Sequence, residues 1–397
     1  MKILIVSLFF PQKMASHAGG RYVYEIVKNL SQNHEVYLAT RIEEQEYSSL
    51  ESLKPYCHAI FPYSYRPVAK RGLFDTISLV CNYIGFSRYA DRLICEGKYN
   101  LIQVEWVEAA LLIGRGKTPM ALDAHDVITK PAARQFDKGK GINRIIKYLG
   151  YIMVKRLELT IARKFQVIFT RSEFDNKYLR QMDDALRVIT VPHPAGLDIT
   201  DKVYEPRKNT ILFIASFKYR RVNVEAALWF YREVFTLVRK EVPEARFIIA
   251  GYGPPEELTC LAQSDLQVSV TGFVDDLDRC YKEAAVFVAP ILTGGGIIVK
   301  ILDALAAGTP VVSTTFGNEG IRAVPGHDLL VADTPKAFAA AVVRFLMEKE
   351  FARQIGENGQ EFVRKNYSLE SVMKIIESAY DEMVSPGEDH NAKTISY

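Results

Sequence analysis

The chain alternates between unbroken apolar runs and stretches whose apolar residues recur every three or four positions. KILIVSLFF, Lys2 to Phe10, is a continuous apolar run of the kind a central parallel strand needs when both its faces are covered. The loop PQKMASHAGG leads into RYVYEIVKNLSQ, which has helical spacing, and HEVYLAT reads as the next strand. NLIQVEW, MALDAHDV, FQVIFT and LRVITVP read as further strands. Helical segments lie between them, the longest from about Ile142 to Lys164, and FPYSYRPVAKRG reads as a Tyr- and Arg-rich loop. A second half restarts the same order. TILFIASF, ARFIIAGYG, VSVTGFV, VFVAPIL and TPVVSTTFG are its strands, and AALWFYREVFTLVRKEV is its first helix.

Strands alternating with helices predict parallel sheets covered on both faces. The expected fold class is therefore α/β, with two Rossmann-like doubly wound domains facing across a cleft. The polar stretch ITDKVYEPRKNT marks the boundary. The expected organisation is an N-terminal, acceptor-side domain over 1–198 and a linker over 199–210. A C-terminal domain follows over 211–368, then a helix over 369–384 packing back toward the first domain, and a disordered polar tail over 385–397.

Composition narrows the classes. The 397 residues are 48% hydrophobic and 24% charged, with a net charge of +3, which is globular and gives no global case for a nucleic-acid partner. Five cysteines without close ligand spacing, and histidines without His-x-x-x-His pairing, point to reduced thiols, a cytoplasmic setting and no metal site. MKILIVSLFF is followed at once by Pro11 and no cleavage site, so it reads as a buried first strand rather than a signal peptide. No run of about 18 apolar residues is present to span a membrane.

Candidate chemistry follows the strands. In GGGIIVKILDALAAGTPVV, the glycines Gly294, Gly295 and Gly296 precede a helix starting near Ile297. Gly308 and Pro310 stop that helix. Glycines let backbone approach a phosphate, and a helix N-terminus offers free N–H groups. Lys300 on phosphate and Asp303 on ribose hydroxyls is one reading; an exposed intrahelical ion pair is the other. Gly19 and Gly20, between the first strand and first helix, carry the same phosphate logic or are merely a flexible entry. In DAHDV, His125 emerges at a strand end, where it can bond a sugar hydroxyl or cap the next segment with Asp126. SFKYRRVN, Ser216 to Asn223, sets Lys218, Arg220 and Arg221 between a strand and a helix. It is either a diphosphate grip or a solvated basic loop. Residues 138–164 hold eight basic side chains against one acid, Glu158, interleaved with Ile, Leu, Met and Tyr. Such a segment can contact an anionic membrane, or be a surface helix with one face buried.

Taken together, KILIVSLFFPQKMASHAGGRYVYEIVKNLSQNHEVYLAT, DAHDV, RSEFDNKYL, PAGLD, ARFIIAGYGP, TGFVDDLDRCYKEAAVFVAP and GGGIIVKILDALAAGTPVVST resemble the GT-B-fold retaining glycosyltransferases of family four, the glycosyl transferases group 1. The resemblance runs roughly from Lys2 to Glu382. It implies transfer of a hexose from a UDP- or GDP-linked sugar to an acceptor hydroxyl with retention, in cell-envelope or exported polysaccharide synthesis. The nucleotide-sugar is a co-substrate, with no metal or other cofactor, and the acceptor is lipid-linked or a saccharide. It places Gly20 facing the donor phosphates, His125 on the donor sugar, Arg221 at the phosphate-binding Lys position and Asp303 on the ribose; a subgroup pattern supports Lys300 on the diphosphate. The departures are Gly295 in place of the first acid of the paired-acid motif, Asp for the second acid, Ser216 in place of an Arg, and Ala195 in place of an Asn. Glu319, after the next strand, is the candidate replacement for the lost sugar-contacting acid. A nucleotide-sugar epimerase shares the fold. The acid missing at Gly295 is the feature that favours a third reading, an inactive sugar-nucleotide-binding scaffold.

Overall fold

The computed structural model describes residues 1–13, 18–66, 73–137, 141–196, 206–218, 220–292 and 297–385. They form two compact units, Met1–Pro192 with Met373–Tyr397, and His193–Val372. The first unit holds β1 (Lys2–Ser7), β2 (Glu35–Ile42), β3 (Ala59–Ser64), β4 (Leu101–Glu105), β5 (Met120–Ala124), β6 (Val167–Thr170) and β7 (Val188–Thr190). Their order in the sheet is β3-β2-β1-β4-β5-β6-β7. The second unit holds β8 (Arg207–Ile214), β9 (Arg246–Ala250), β10 (Val268–Gly272), β11 (Ala284–Ala289), β12 (Val311–Ser313) and β13 (Leu330–Val331), in the order β10-β9-β8-β11-β12-β13. Strand pairing is parallel in both sheets. In each, the first strand in sequence is central and the order reverses beside it, the doubly wound arrangement.

The apolar runs form the sheet cores because both faces are covered. Ile3, Leu4, Ile5 and Val6 of β1 are fully buried. Around β8 and β9 the phenylalanines Phe213, Phe230, Phe235, Phe247 and Phe338 pack together. Burying each such ring stabilises by about 1.5–3 kcal/mol. Helices cover the faces, among them α1 (Ala18–Leu30), α2 (Leu73–Glu96), α3 (Thr129–Asp137) and α4 (Gly141–Ala162). The helix Leu369–Val384 ends in the first unit, where the buried Tyr380 hydroxyl donates to Gln103.

Four expectations are corrected. The segment beginning FPYS, expected as loop, supplies the end of β3: Phe61 to Ser64 pair with β2, and Pro62 is tolerated because β3 is an edge strand. The longest described helix is α2, with 24 residues against 22 in α4. The strand after the linker starts at Arg207, inside the 199–210 segment, because Arg207 N–H already donates to Glu283 O on β11's side of the sheet. TPVVSTTFG is strand only over β12, after which Thr314 caps a short helix, Thr315–Asn318, by accepting from Gly317 N–H. The remainder of the linker, 199–205, and the tail from 386 lie outside the described residues.

Candidate functional site

In the second unit the helix Val299–Ala306 follows β11, and Gly308, at φ +75°, terminates it as its sequence position requires. Gly294, Gly295 and Gly296 lie outside the described residues. Lys300 stands in the helix's first turn. Its Nζ donates to Asn223 Oδ1 at 3.0 Å and lies 5.2 Å from the centre of the Phe213 ring. Asn223 Nδ2 in turn donates to the Ser216 carbonyl at 2.7 Å. Asn223 thus ties the loop after β8 to the Lys300 helix, while the Ser216 side chain is left exposed. Below it, Gly251 allows a close approach: a Cβ there would meet Ala215 O at 1.8 Å. Burial, then the nearby Arg220 charge, lowers the Lys300 pKa to about 8. No carboxylate pairs with Lys300 or Arg220 among the described residues.

Arg221 does not join this group. Its guanidinium is exposed and bonds Glu257 and Glu225, which also raise its pKa. The helix begins at Arg221, and Arg220 before it has non-helical backbone, so the two adjacent arginines diverge: Arg220 lies near Lys300 and Arg221 bonds the acids. Asp303 also departs from expectation. It is buried, and its Oδ1 accepts from Gly196 N–H at 2.7 Å, so a backbone amide occupies an oxygen expected to bind ribose. A Cβ at Gly196 would sit 3.1 Å from that oxygen, which explains the glycine in PAGLD. Replacing Asp303 by Leu strands this N–H and lowers stability by about 1–3 kcal/mol, whereas Asn keeps an acceptor and costs less; denaturant unfolding of the two variants checks this. Glu319 is exposed and lines a different space, a cavity of about 620 Å³ bounded also by Leu292, Phe316, Arg322 and Asp333.

In the first unit, His125 closes β5 and is the centre of a buried network. Its Nε2 lies 2.7 Å from Glu105 Oε2, and its ring stacks on Trp106 with centroids 4.0 Å apart and planes 9° apart. Trp106 follows β4 with φ 73°, a conformation a bulky residue adopts only when its surroundings enforce it. Arg171, after β6, bonds Asp123 and lies 3.9 Å over the Tyr22 ring, with Nη2 3.5 Å from His125 Nε2. Burial raises the Glu105 pKa to about 7, against the lowering effects of Arg171 and Gln103. Glu105, Asp123 and His125 bring ligand atoms within 4.8 Å of one another. The guanidinium of Arg171 already bonds Asp123 there and approaches His125, so the group is an internally neutralised network and does not fit a divalent ion. Gly19 and Gly20 belong to the first turn of α1, not to a loop before it.

Glu105, Trp106 and Arg171 carry no assigned role in the sequence reading, although each stands within a quoted segment; the available signal is their position just beyond strand ends. Asn223 was equally visible at the end of SFKYRRVN.

The geometry can be set beside known proteins. Residues 208–348 match the family model described as glycosyl transferases group 1. The chain is 28% identical over 167 residues to an amylovoran biosynthesis glycosyltransferase from Erwinia amylovora, covering 39% of each. The chain spans about half or less of the length of the curated relatives it matches. Among solved structures it is similar to sucrose-phosphate synthase from Thermosynechococcus elongatus, with TM-score 0.67, 17% identity and coverage of 98% and 100% of the two chains. It is also similar to HepE from Anabaena in complex with UDP, with TM-score 0.64, 13% identity and coverage of 96% and 100%.

Proposed function

Since the chain has the GT-B fold and its residues 208–348 match the family model of the glycosyl transferases group 1, we propose that it transfers a sugar from a UDP- or GDP-linked donor to an acceptor hydroxyl with retention. One observation carries the reading. Lys300, in the first turn of its helix, and Arg220, at the N-cap of the helix Arg221–Trp229, are neighbouring cations, each without a carboxylate partner among the described residues, and the Arg220 charge disfavours that of Lys300. Neighbouring cations without a carboxylate partner are completed by an anion, and a diphosphate supplies the negative charge. The helix N-terminus adds its free N–H groups.

As the glycosidic bond breaks, negative charge grows on the leaving phosphate, where the fixed cations stabilise it. The acceptor oxygen bonds the anomeric carbon on the face the phosphate leaves, and its proton passes to the departing phosphate oxygen. No side chain has to act as base. We assign His125, oriented by Glu105 and Trp106, to a sugar hydroxyl. The similar protein whose name places it in amylovoran biosynthesis supports a polysaccharide intermediate as acceptor.

Incubation with UDP- and GDP-sugars and a lipid-linked or saccharide acceptor tests the reading by mass spectrometry. Free nucleoside diphosphate with a glycosylated acceptor supports transfer; an isomeric nucleotide-sugar identifies an epimerase, and binding without either product a non-catalytic binder. Thermal shift selects the nucleotide beforehand, because a ligand stabilises the folded chain by mass action.

The titration of Lys300 gives a pH signature. Its charge is complete well below about 8 and is lost as pH rises through that value. Donor diphosphate affinity therefore weakens by about tenfold between pH 7 and 9, read by calorimetric titration with UDP. A flat profile over this range contradicts a role for Lys300.

A further inference from the structure

Behind His125 the first sheet carries a chain of hydrogen bonds that a sugar contact alone does not call for. Gln103 and Glu105 stand two apart on β4, so both side chains leave the same face of the sheet. Tyr380, on the helix Leu369–Val384, lies beside Phe169 of β6 and reaches Gln103. All three are fully buried. The Tyr380 hydroxyl donates to Gln103 Oε1, and Gln103 Nε2 donates to Glu105 Oε1 at 2.5 Å. Glu105 Oε2 then meets His125 Nε2 at 2.7 Å. The chain runs unbroken from that helix to the imidazole.

The direction of the chain fixes where the protons are. Tyr380 occupies the Gln103 carbonyl oxygen, so the amide turns its NH2 group toward Glu105. A donor at that point favours the ionised carboxylate, whose two oxygens only accept. The proton in the 2.7 Å contact is therefore on His125 Nε2. A neutral imidazole carries one proton, so Nδ1 is its acceptor. Arg171 Nη2 also faces Nε2, but at 3.5 Å, and its closer bond is to Asp123. A proton on Nε2 accounts for the guanidinium standing off. The Trp106 stack and the edge of Tyr22 hold the plane of the ring. Around Glu105 stand Tyr22 from α1, Asp123 and His125 from β5, Arg171 after β6 and Tyr380. Burial, against the lowering effects of Arg171 and Gln103, puts the Glu105 pKa at about 7. Below that value Glu105 holds a proton and donates it to Nε2, and the imidazole proton then stands on Nδ1.

We propose that Gln103 and Tyr380 are positioning residues for His125: relayed through Glu105, their hydrogen bonds keep the imidazole proton on Nε2, so that Nδ1 accepts from a substrate hydroxyl. The proposal rests on the assignment of His125 to a sugar hydroxyl, but its first readout needs no turnover. Full-length protein with ¹⁵N-labelled histidine is titrated by NMR from about pH 6 to about pH 9, across the histidine range. The His125 signal is identified by its loss in His125→Gln. The parent is expected to pass from the Nε2–H to the Nδ1–H tautomer as pH falls through about 7. Removing a donor to a charged group moves its titration by about one pH unit, so the change is expected near pH 8 in Gln103→Leu. Tyr380→Phe loosens the amide but leaves it in place, and moves the midpoint the same way by less. At pH 7 about half of the parent and about a tenth of Gln103→Leu then hold Nδ1 as acceptor. Transfer at saturating donor, relative to the parent at the same pH, is expected to fall about fivefold at pH 7 and to return to within about twofold at pH 9. A merely structural role loses rate equally at both. An Nδ1–H imidazole in the parent at pH 9, or a midpoint unchanged in Tyr380→Phe and in folded Gln103→Leu, overturns the proposal. A shifted midpoint with transfer unaltered at pH 7 supports the relay and overturns the reading of His125 as a sugar contact.

Discussion

Replacing Lys300 by Met lowers sugar transfer at saturating donor by about a hundredfold or more, while the unfolding midpoint stays near that of the parent. Met keeps most of the length of the aliphatic stem and removes the ammonium group, which lies 5.2 Å from the centre of the Phe213 ring. Turnover falls because a preorganised charge aimed at the leaving group is worth about 10²–10³ in rate where water is excluded. Stability is spared because a buried, like-charged Lys300 is itself a cost to the folded chain; its lowered pKa says so. Folding penalises that charge below pH 8 and the penalty fades as pH rises toward the unfolded value, so Met removes a penalty as well as a hydrogen bond to Asn223. Steady-state assays with UDP- and GDP-sugars check the rate; near-parental turnover removes Lys300 from the mechanism.

Much of the fold was legible because burial on both faces writes itself as unbroken apolar runs. KILIVSLFF and TILFIASF became the central strands β1 and β8 for that reason. β3 escaped because an edge strand is half-exposed and can carry Pro62, so AIFPYS has neither the run nor the alternation that marks a strand. The site was legible in outline and not in register. SFKYRRVN announces cations after a strand, but which of Arg220 and Arg221 faces Lys300 depends on where the helix begins, and one residue of shift turns a side chain by about 100°. Glu105 and Arg171 were missed for another reason. A carboxylate at the end of LIQVEW and an arginine after FQVIFT look like strand-terminal polar residues until the sheet order sets β4, β5 and β6 side by side. Asp303 was legible as a polar position in an apolar helix, but not that a backbone N–H takes one of its two oxygens.

Arg171→Met tests that second network and carries the largest expected loss of stability. Arg171 bonds the fully buried Asp123, and Asp123, Tyr22 and Glu105 raise its pKa although burial alone would lower it. Removing one partner of a buried ion pair costs about 3–5 kcal/mol, because the other charge stays enclosed without compensation. The loss should appear in denaturant unfolding as an earlier transition of the first unit. Its pH dependence has a defined sign. Burial already holds the Asp123 pKa above its unfolded value against the lowering effect of Arg171; without Arg171 it rises further, so the folded chain binds the extra proton more readily and the variant recovers stability as pH falls from 7 toward 5. The double variant Arg171→Met/Asp123→Leu should regain most of the loss at pH 7. A single variant as stable as the parent means that the pair is not buried as described.

The central claim is that Lys300 and Arg220 hold a donor diphosphate, and calorimetric titration of UDP and GDP into the parent, Lys300→Met, Arg220→Ala and Arg221→Ala tests it most directly. The expected result is that one nucleotide binds the parent, that the Lys300 and Arg220 variants each weaken it by about tenfold or more, and that Arg221→Ala leaves it within about twofold, charge-assisted contacts being the stronger ones. Equal affinities in the parent and the Lys300 variant, or a loss confined to Arg221→Ala, would contradict the account.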